Sequence, residues 1–146
     1  MRKLHALLAA LPAALALGTA AFAADYEVGQ IWSAKGRAQD PEPKLIVLKI
    51  ERVEAIGDVV FIAVAGVKVC LPSGQCGDVF TPLAISKRAL DQSVKEQIGR
   101  SDQLPDFEKG YQFWKDGRTR GAAVTIDVPL ADALDQIEGG SKIQVK

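Results

Sequence analysis

An α+β domain built on a curved antiparallel sheet is the fold class this chain predicts, and three observations predict it. Lys44 to Glu54 and Val59 to Cys70 are two apolar, β-branched runs joined by a turn at Ile56-Gly57-Asp58, which is a hairpin signal. Helical spacings of apolar residues appear only later, from Lys87 onward. No repeat or heptad array runs through the chain, so a solenoid or coiled coil is excluded. The expected sheet has about four or five strands and carries two or three helices in the C-terminal half. It can curl into a partly open barrel, because a strand that is apolar on both faces needs cover on each.

At 146 residues the chain holds one domain, and part of its length reads as a leader. Met1-Arg2-Lys3 is a short basic start, Leu4 to Phe22 is apolar and uncharged apart from His5, and Ala21-Phe22-Ala23 ends the run with small residues. That order is what a secretory signal peptide requires, with cleavage expected after Ala23 and a mature domain over 24–146. An uncleaved membrane anchor is the competing reading, since the run is nearly long enough to span. Pro12, Gly18 and the small-residue ending argue against it, and no cysteine follows to carry a lipid. Stable membrane insertion is therefore not expected after cleavage.

Charge narrows the partners. Lys and Arg number 18 and Asp and Glu 18, so no electrostatic attraction draws the chain to nucleic acid or an anionic membrane. Loss of Arg2 and Lys3 leaves 16 basic against 18 acidic side chains, a mature net charge near −2. Asparagine is absent, and with it any glycosylation acceptor.

Taken in order, Ile31 to Lys35 reads as a first strand with Trp32 as a packing aromatic, and 36–43 (GRAQDPEP) as a polar surface loop. In the next strand Ile46, Leu48 and Ile50 share one face, opposite Val47, Lys49 and Glu51. Val59 to Ala65 is wholly apolar, as suits a central strand, and the pattern changes at Gly66 in the manner of a β-bulge. Asp78 to Ile85 is a further extended segment that Pro82 confines to an edge. Ser86 then caps a helix over Lys87 to Ile98, with Leu90, Val94 and Ile98 on one side and Gly99 as its stop. A second helix runs from Pro105 to Asp116 and ends at Gly117, with Phe107, Tyr111 and Trp114 as its core stripe. Phe113 falls off that stripe and is the aromatic expected to be exposed, while Gly110 permits close approach to a neighbour. After a polar loop at Arg118-Thr119-Arg120, Ala122 to Asp127 reads as a last strand. Pro129 opens a third helix with Leu130, Leu134 and Ile137 inward and Gly139-Gly140 at its end, and Ser141 to Lys146 is a tail that frays or adds an edge strand.

The two cysteines follow from export. Cys70 and Cys76 are the only pair, and in an oxidising compartment such a pair forms a disulfide. Closing so small a ring is worth about 2 kcal/mol on the loop-entropy model. A redox site favours C-x-x-C, and a zinc site needs more ligands than a chain without mature histidine supplies. The pair reads as a structural staple.

Chemistry is scarce. The only histidine is His5 in the leader, so no Ser-His-Asp or Cys-His arrangement exists in the mature domain, and no phosphate-binding glycine loop occurs. Neither a cofactor nor a metal is expected. Carboxylates remain, because any fold can bring two acids together. Asp40 and Glu42, Asp106 and Glu108, and Asp132, Asp135 and Glu138 all read more simply as solvated loop or helix positions.

Gly29-Gln30-Ile31-Trp32, Arg37, Leu45 to Glu51, Val60 to Val64, Gly66 to Val69, Pro82 to Ser86, and Leu104-Pro105-Asp106-Phe107 with Gly110-Tyr111 and Trp114 resemble a group of small exported bacterial proteins of unknown function. The resemblance covers most of the mature chain and implies a shared small α+β fold without an activity. The cysteine loop departs from that pattern.

The expected function is therefore a small periplasmic or secreted binding or protein-interaction module, its partner an envelope protein or a small ligand. A carboxylate-dependent envelope hydrolase and a purely structural envelope protein are the alternatives, and the enzyme reading is the weaker one. Function concentrates on loops, so the candidate contact residues are Leu71, Pro72, Ser73 and Gln75 of the cysteine loop, Arg37, Phe113, Arg118 and Arg120.

Overall fold

A computed structural model describes residues 23–140, so residues 1–22 of the expected leader and the tail 141–146 lie outside the described residues. Five strands and three helices follow in the order β1 (Gln30–Ala34), β2 (Lys44–Val53), β3 (Gly57–Cys70), β4 (Cys76–Ser86), α1 (Lys87–Ser93), β5 (Val94–Arg100), α2 (Glu108–Thr119) and α3 (Leu130–Glu138). The strands form one antiparallel sheet in the order β4-β3-β2-β1-β5, open at β4 and β5. It is an α+β fold with its helices in the C-terminal half.

The sheet has a core on each face, as the apolar run in β3 requires. Val60, Ile62 and Val64 point to one core with Leu90 of α1 and Leu130 and Leu134 of α3. Val59, Phe61 and Ala63 point to the other, against Tyr111 and Trp114 of α2. Period-two alternation thus serves both layers at once. Phe61 meets both α2 aromatics edge to face, its ring centre 5.1 Å from that of Tyr111 and 4.9 Å from that of Trp114.

Two bulges decide which residues reach which core. In β2 the register slips between Val47 and Lys49, leaving Leu48 as the extra residue. Leu48 and Lys49 therefore follow one another on the α2 side, where Lys49 Nζ sits 4.9 Å from the centre of the Tyr111 ring. Ile50 is thrown to the opposite face and is 37% exposed, so it does not share a buried face with Ile46 and Leu48. In β3 the second slip spans Ala65 to Val69 and contains Gly66 at φ +77°, a left-handed conformation that glycine adopts without strain. It keeps Val67 and Val69 buried on the face that Val64 lines.

Besides α2, which spans Glu108–Thr119 rather than Pro105 to Asp116 and so takes Gly117 into its last turns, two elements differ from the sequence expectation. The helix that begins at Ser86, whose hydroxyl accepts the Ala89 N–H as expected, stops at Ser93 rather than Ile98. Val94–Arg100 is β5, pairing Val94 with Ala34, Gln97 with Trp32 and Gly99 with Ile31. A spacing of four residues fits one face of a strand as well as one face of a helix, so Leu90, Val94 and Ile98 could not separate the two. Ser93 breaks the helix by donating to the Ala89 carbonyl at 2.7 Å while accepting the Leu130 N–H at 2.8 Å. β5 then satisfies the outer edge of β1.

The second is Ala122 to Asp127, which makes one parallel bridge, Ile126 to Ile85, and no strand. Ser86 N–H donates to Ile126 O and Ile126 N–H to Ala84 O, both at 2.8 Å. Two residues earlier on that edge stands Pro82, which has no N–H to give. The Val124 carbonyl instead accepts the Trp114 indole N–H at 3.2 Å.

Gly110 sets how closely α2 approaches β4. A methyl group on it would stand 2.3 Å from Cδ of Pro82. Gly110→Ala is expected to destabilise the fold by about 1–2 kcal/mol, since so short a contact with a proline ring puts overpacking in the upper part of its range of about 1–3, against nearly 1 from helix propensity. Urea unfolding of the two proteins measures it; an unchanged midpoint contradicts the contact.

Candidate functional site

The face of α2 that meets β4 carries Gly110, Phe113, Trp114 and Gly117, at spacings of three, four and seven. Two of those four positions have no side chain. Gly110 fits against Pro82, and Gly117 lies against the chain at Ala123, where a methyl group would stand 3.2 Å from the backbone nitrogen. Phe113 and Trp114 lie between these close approaches and line the space among α2, β4 and the 120–126 segment. The result is an open groove of about 370 Å³.

It is lined by Phe61 of β3, Leu83 and Ala84 of β4, Phe113 and Trp114 of α2, and Ala122 to Val124 with Ile137 of α3. Its volume falls within the roughly 300–1,000 Å³ of small-molecule sites. Phe113 at the rim is 74% exposed and Val124 47%. Arg120 is the one charged residue of the lining, and no acid joins it. Among the described residues its guanidinium meets no carboxylate within ion-pair distance. An apolar trough with one uncommitted cation at its edge can hold a hydrophobic body and turn an anionic group toward the guanidinium.

Of the residues expected at a contact surface, the structure gathers Phe113 and Arg120 here. Arg118 belongs to the last turn of α2 rather than to a loop, with its guanidinium 5.3 Å from the centre of the Trp114 ring. It faces a neighbouring hollow with Glu51, Lys115 and Thr119. Tyr111 lies beside it, its hydroxyl pushed up to about 12 by the hydrogen bond to Glu51 and then by burial.

The cysteine loop lies apart from the groove. The sulfurs of Cys70 and Cys76 are 2.11 Å apart, at disulfide distance. Leu71, Pro72, Ser73 and Gln75 are all exposed, and the loop closes on itself through Leu71 N–H to Gln75 O at 2.7 Å and Gly74 N–H to Leu71 O at 2.9 Å. Pro72 packs beside Gly140, just after α3.

Arg37 is a correction. It is 6% exposed and is no surface contact residue. Its guanidinium binds Asp40 through Nε at 2.8 Å and Nη2 at 3.2 Å, Asp135 through Nη1 at 3.2 Å, Glu138, and the Lys68 carbonyl at 3.0 Å. Asp40 is also buried and accepts the Lys68 N–H at 3.2 Å. The 36–43 loop is thereby pinned to the bulged end of β3 and to the last turn of α3. Five donors in a rigid fork suit Arg for that junction, and four acceptor groups around it hold its charge firmly. Hydrogen bonding from Arg37 holds the Asp40 carboxyl below the ordinary range despite burial.

The acids named as hydrolase candidates do not converge on the groove. Asp40, Asp135 and Glu138 are taken up by Arg37. A different pair, Asp25 and Asp58, lines a hollow of about 140 Å³ with Tyr26 and Lys87. Asp58 there pairs with Arg52 at 3.2 Å. Among the described residues no three His, Cys, Asp or Glu side chains are placed to hold a metal ion.

The groove itself escaped sequence reasoning. Its signal is the pair of glycines seven residues apart flanking Phe113-Trp114, but a glycine at 117 reads equally well as a helix stop. Searches of family models, curated proteins and solved structures find no match to this chain.

Proposed function

We propose that this chain is an exported, periplasmic binding module whose α2 groove takes an apolar small molecule bearing one anionic group. The observation that carries the reading is the groove's composition: an aromatic and aliphatic lining with the single guanidinium of Arg120 at its edge. Export is supported by the basic-apolar-small order of residues 1–23 and by a cysteine pair at disulfide distance. No helix of the described residues is long and apolar enough to cross a membrane.

Decanoate is a suitable probe, and decanol its uncharged control. Trp114 lines the groove while Trp32 is buried in the other core, so a fluorescence change on titration reports from the proposed site. Decanoate is expected to bind saturably, and Arg120→Gln to weaken it about tenfold, the loss of one charged hydrogen bond. Decanol should bind the two proteins equally. Absence of saturable binding, or equal affinity of both proteins for decanoate, contradicts the reading.

The hydrolase alternative has the Asp25–Asp58 hollow in its favour, but about 140 Å³ is below the roughly 300 Å³ at which small-molecule sites begin. The purely structural alternative leaves the composition of the groove unexplained.

A further inference from the structure

We infer that the α-ammonium released by cleavage between Ala23 and Ala24 is seated on Asp91 as a built-in ion pair of the mature fold. The inference rests on the export reading above. In the full chain the Ala24 backbone nitrogen already lies 3.3 Å from Asp91 Oδ1. Ala24 is 5% exposed and belongs to the core with Tyr26, Trp32 and Leu90, whereas Ala23 is exposed. The boundary between solvent and core therefore falls at the bond that the Ala21-Phe22-Ala23 ending marks for cleavage.

Asp91 is prepared for a cation there. Its side chain is 17% exposed, it accepts the Tyr26 hydroxyl at 2.9 Å, and it pairs with Lys87 Nζ at 2.9 Å. Lys87 also stands 5.4 Å from the centre of the Tyr26 ring. A neutral amide N–H at Ala24 gives this carboxylate one weak donor. Hydrolysis of the Ala23–Ala24 bond by a signal-type peptidase places the water oxygen on the Ala23 carbonyl carbon and leaves the amine, protonated, on Ala24. The contact then becomes a charge-assisted hydrogen bond, which is roughly twice as strong as a neutral one. Processing so becomes part of folding, because the leader must be gone for the seat to acquire its charge.

The test uses the chain exported with its own leader and recovered from the periplasm. Its intact mass is expected to show a chain beginning at Ala24. A variant with one glycine inserted between Ala23 and Ala24 moves the ammonium about 3.8 Å along the chain. Its Tm is expected to fall by roughly 3–6 °C, and Nα-acetylation of the unaltered mature chain is expected to do the same. In an Asp91→Asn background neither change should move Tm further. A mature chain that begins elsewhere overturns the inference, and so does an insertion or acetylation effect of equal size in both backgrounds, or none in either. If Asp91→Asn fails to fold, acetylation decides: an unchanged Tm overturns the seat. Retention of the leader in the cytoplasm would refute export as well, whereas correct processing without the Tm effect refutes the seat alone.

Discussion

Replacing Arg37 by leucine is expected to cost the fold about 3–5 kcal/mol, because it leaves Asp40 as a buried carboxylate without its cation. Asp40 is 4% exposed and, among the described residues, has only the Lys68 N–H as its other hydrogen-bond donor. Asp135 and Glu138 suffer less, since their side chains are 63% and 35% exposed and can turn to water. Out of a total of about 5–15 kcal/mol such a loss is severe. Asp40→Asn in the same chain should recover part of it, as the charge that cannot be solvated is gone. Equilibrium unfolding in urea gives both numbers, and a loss under about 1 kcal/mol for Arg37→Leu would mean that the cluster is solvated in solution.

The same pair fixes a pH dependence. Arg37 lowers the Asp40 carboxyl below its ordinary value of 3.8 in the folded state. The stability this contributes is complete above that value and lost as pH falls through the lower folded one. In Arg37→Leu the sign reverses, because burial without a cation raises the carboxyl and protonation relieves it. The gap between the two proteins should therefore narrow from pH 7 toward pH 3.

Phe61→Ala is the second large effect, at about 3–5 kcal/mol. The ring is fully buried at the centre of β3 and is the shared partner of Tyr111 and Trp114. Truncation leaves a cavity between sheet and α2 that neither aromatic can fill, since Tyr111 is tied to Glu51 and Trp114 to the Val124 carbonyl. Near-ultraviolet circular dichroism should lose intensity with the edge-to-face pairs, and the urea midpoint should fall. A midpoint within experimental error of the parent would show that α2 is not held by this contact.

How much of this was legible in the sequence depends on whether a residue's role is local. β2, β3 and the Gly57 turn could be read because alternation and a glycine turn are local signals. The same holds for the Ser86 cap and the third helix. The Leu48 bulge could not be read, because a bulge is fixed by the partner strand, and it reversed the face of Ile50. β5 was hidden by a spacing that suits both helix and strand. Arg37 looked like a loop cation because its three carboxylate partners lie 3, 98 and 101 residues away. The exposure of Phe113 is legible, since position on a helix face is a local property, yet the groove beside it depends on the 120–126 segment and β4.

The proposed ligand site is the α2 groove rather than the cysteine loop. Amide chemical shifts of the isotopically labelled protein, recorded with and without decanoate, distinguish the two. Movements are expected to be confined to Gly110, Phe113, Trp114, Gly117 and Ala122 to Val124, with Arg120 among the largest. Movements centred on Leu71 to Gln75, with the groove residues unmoved, would contradict it.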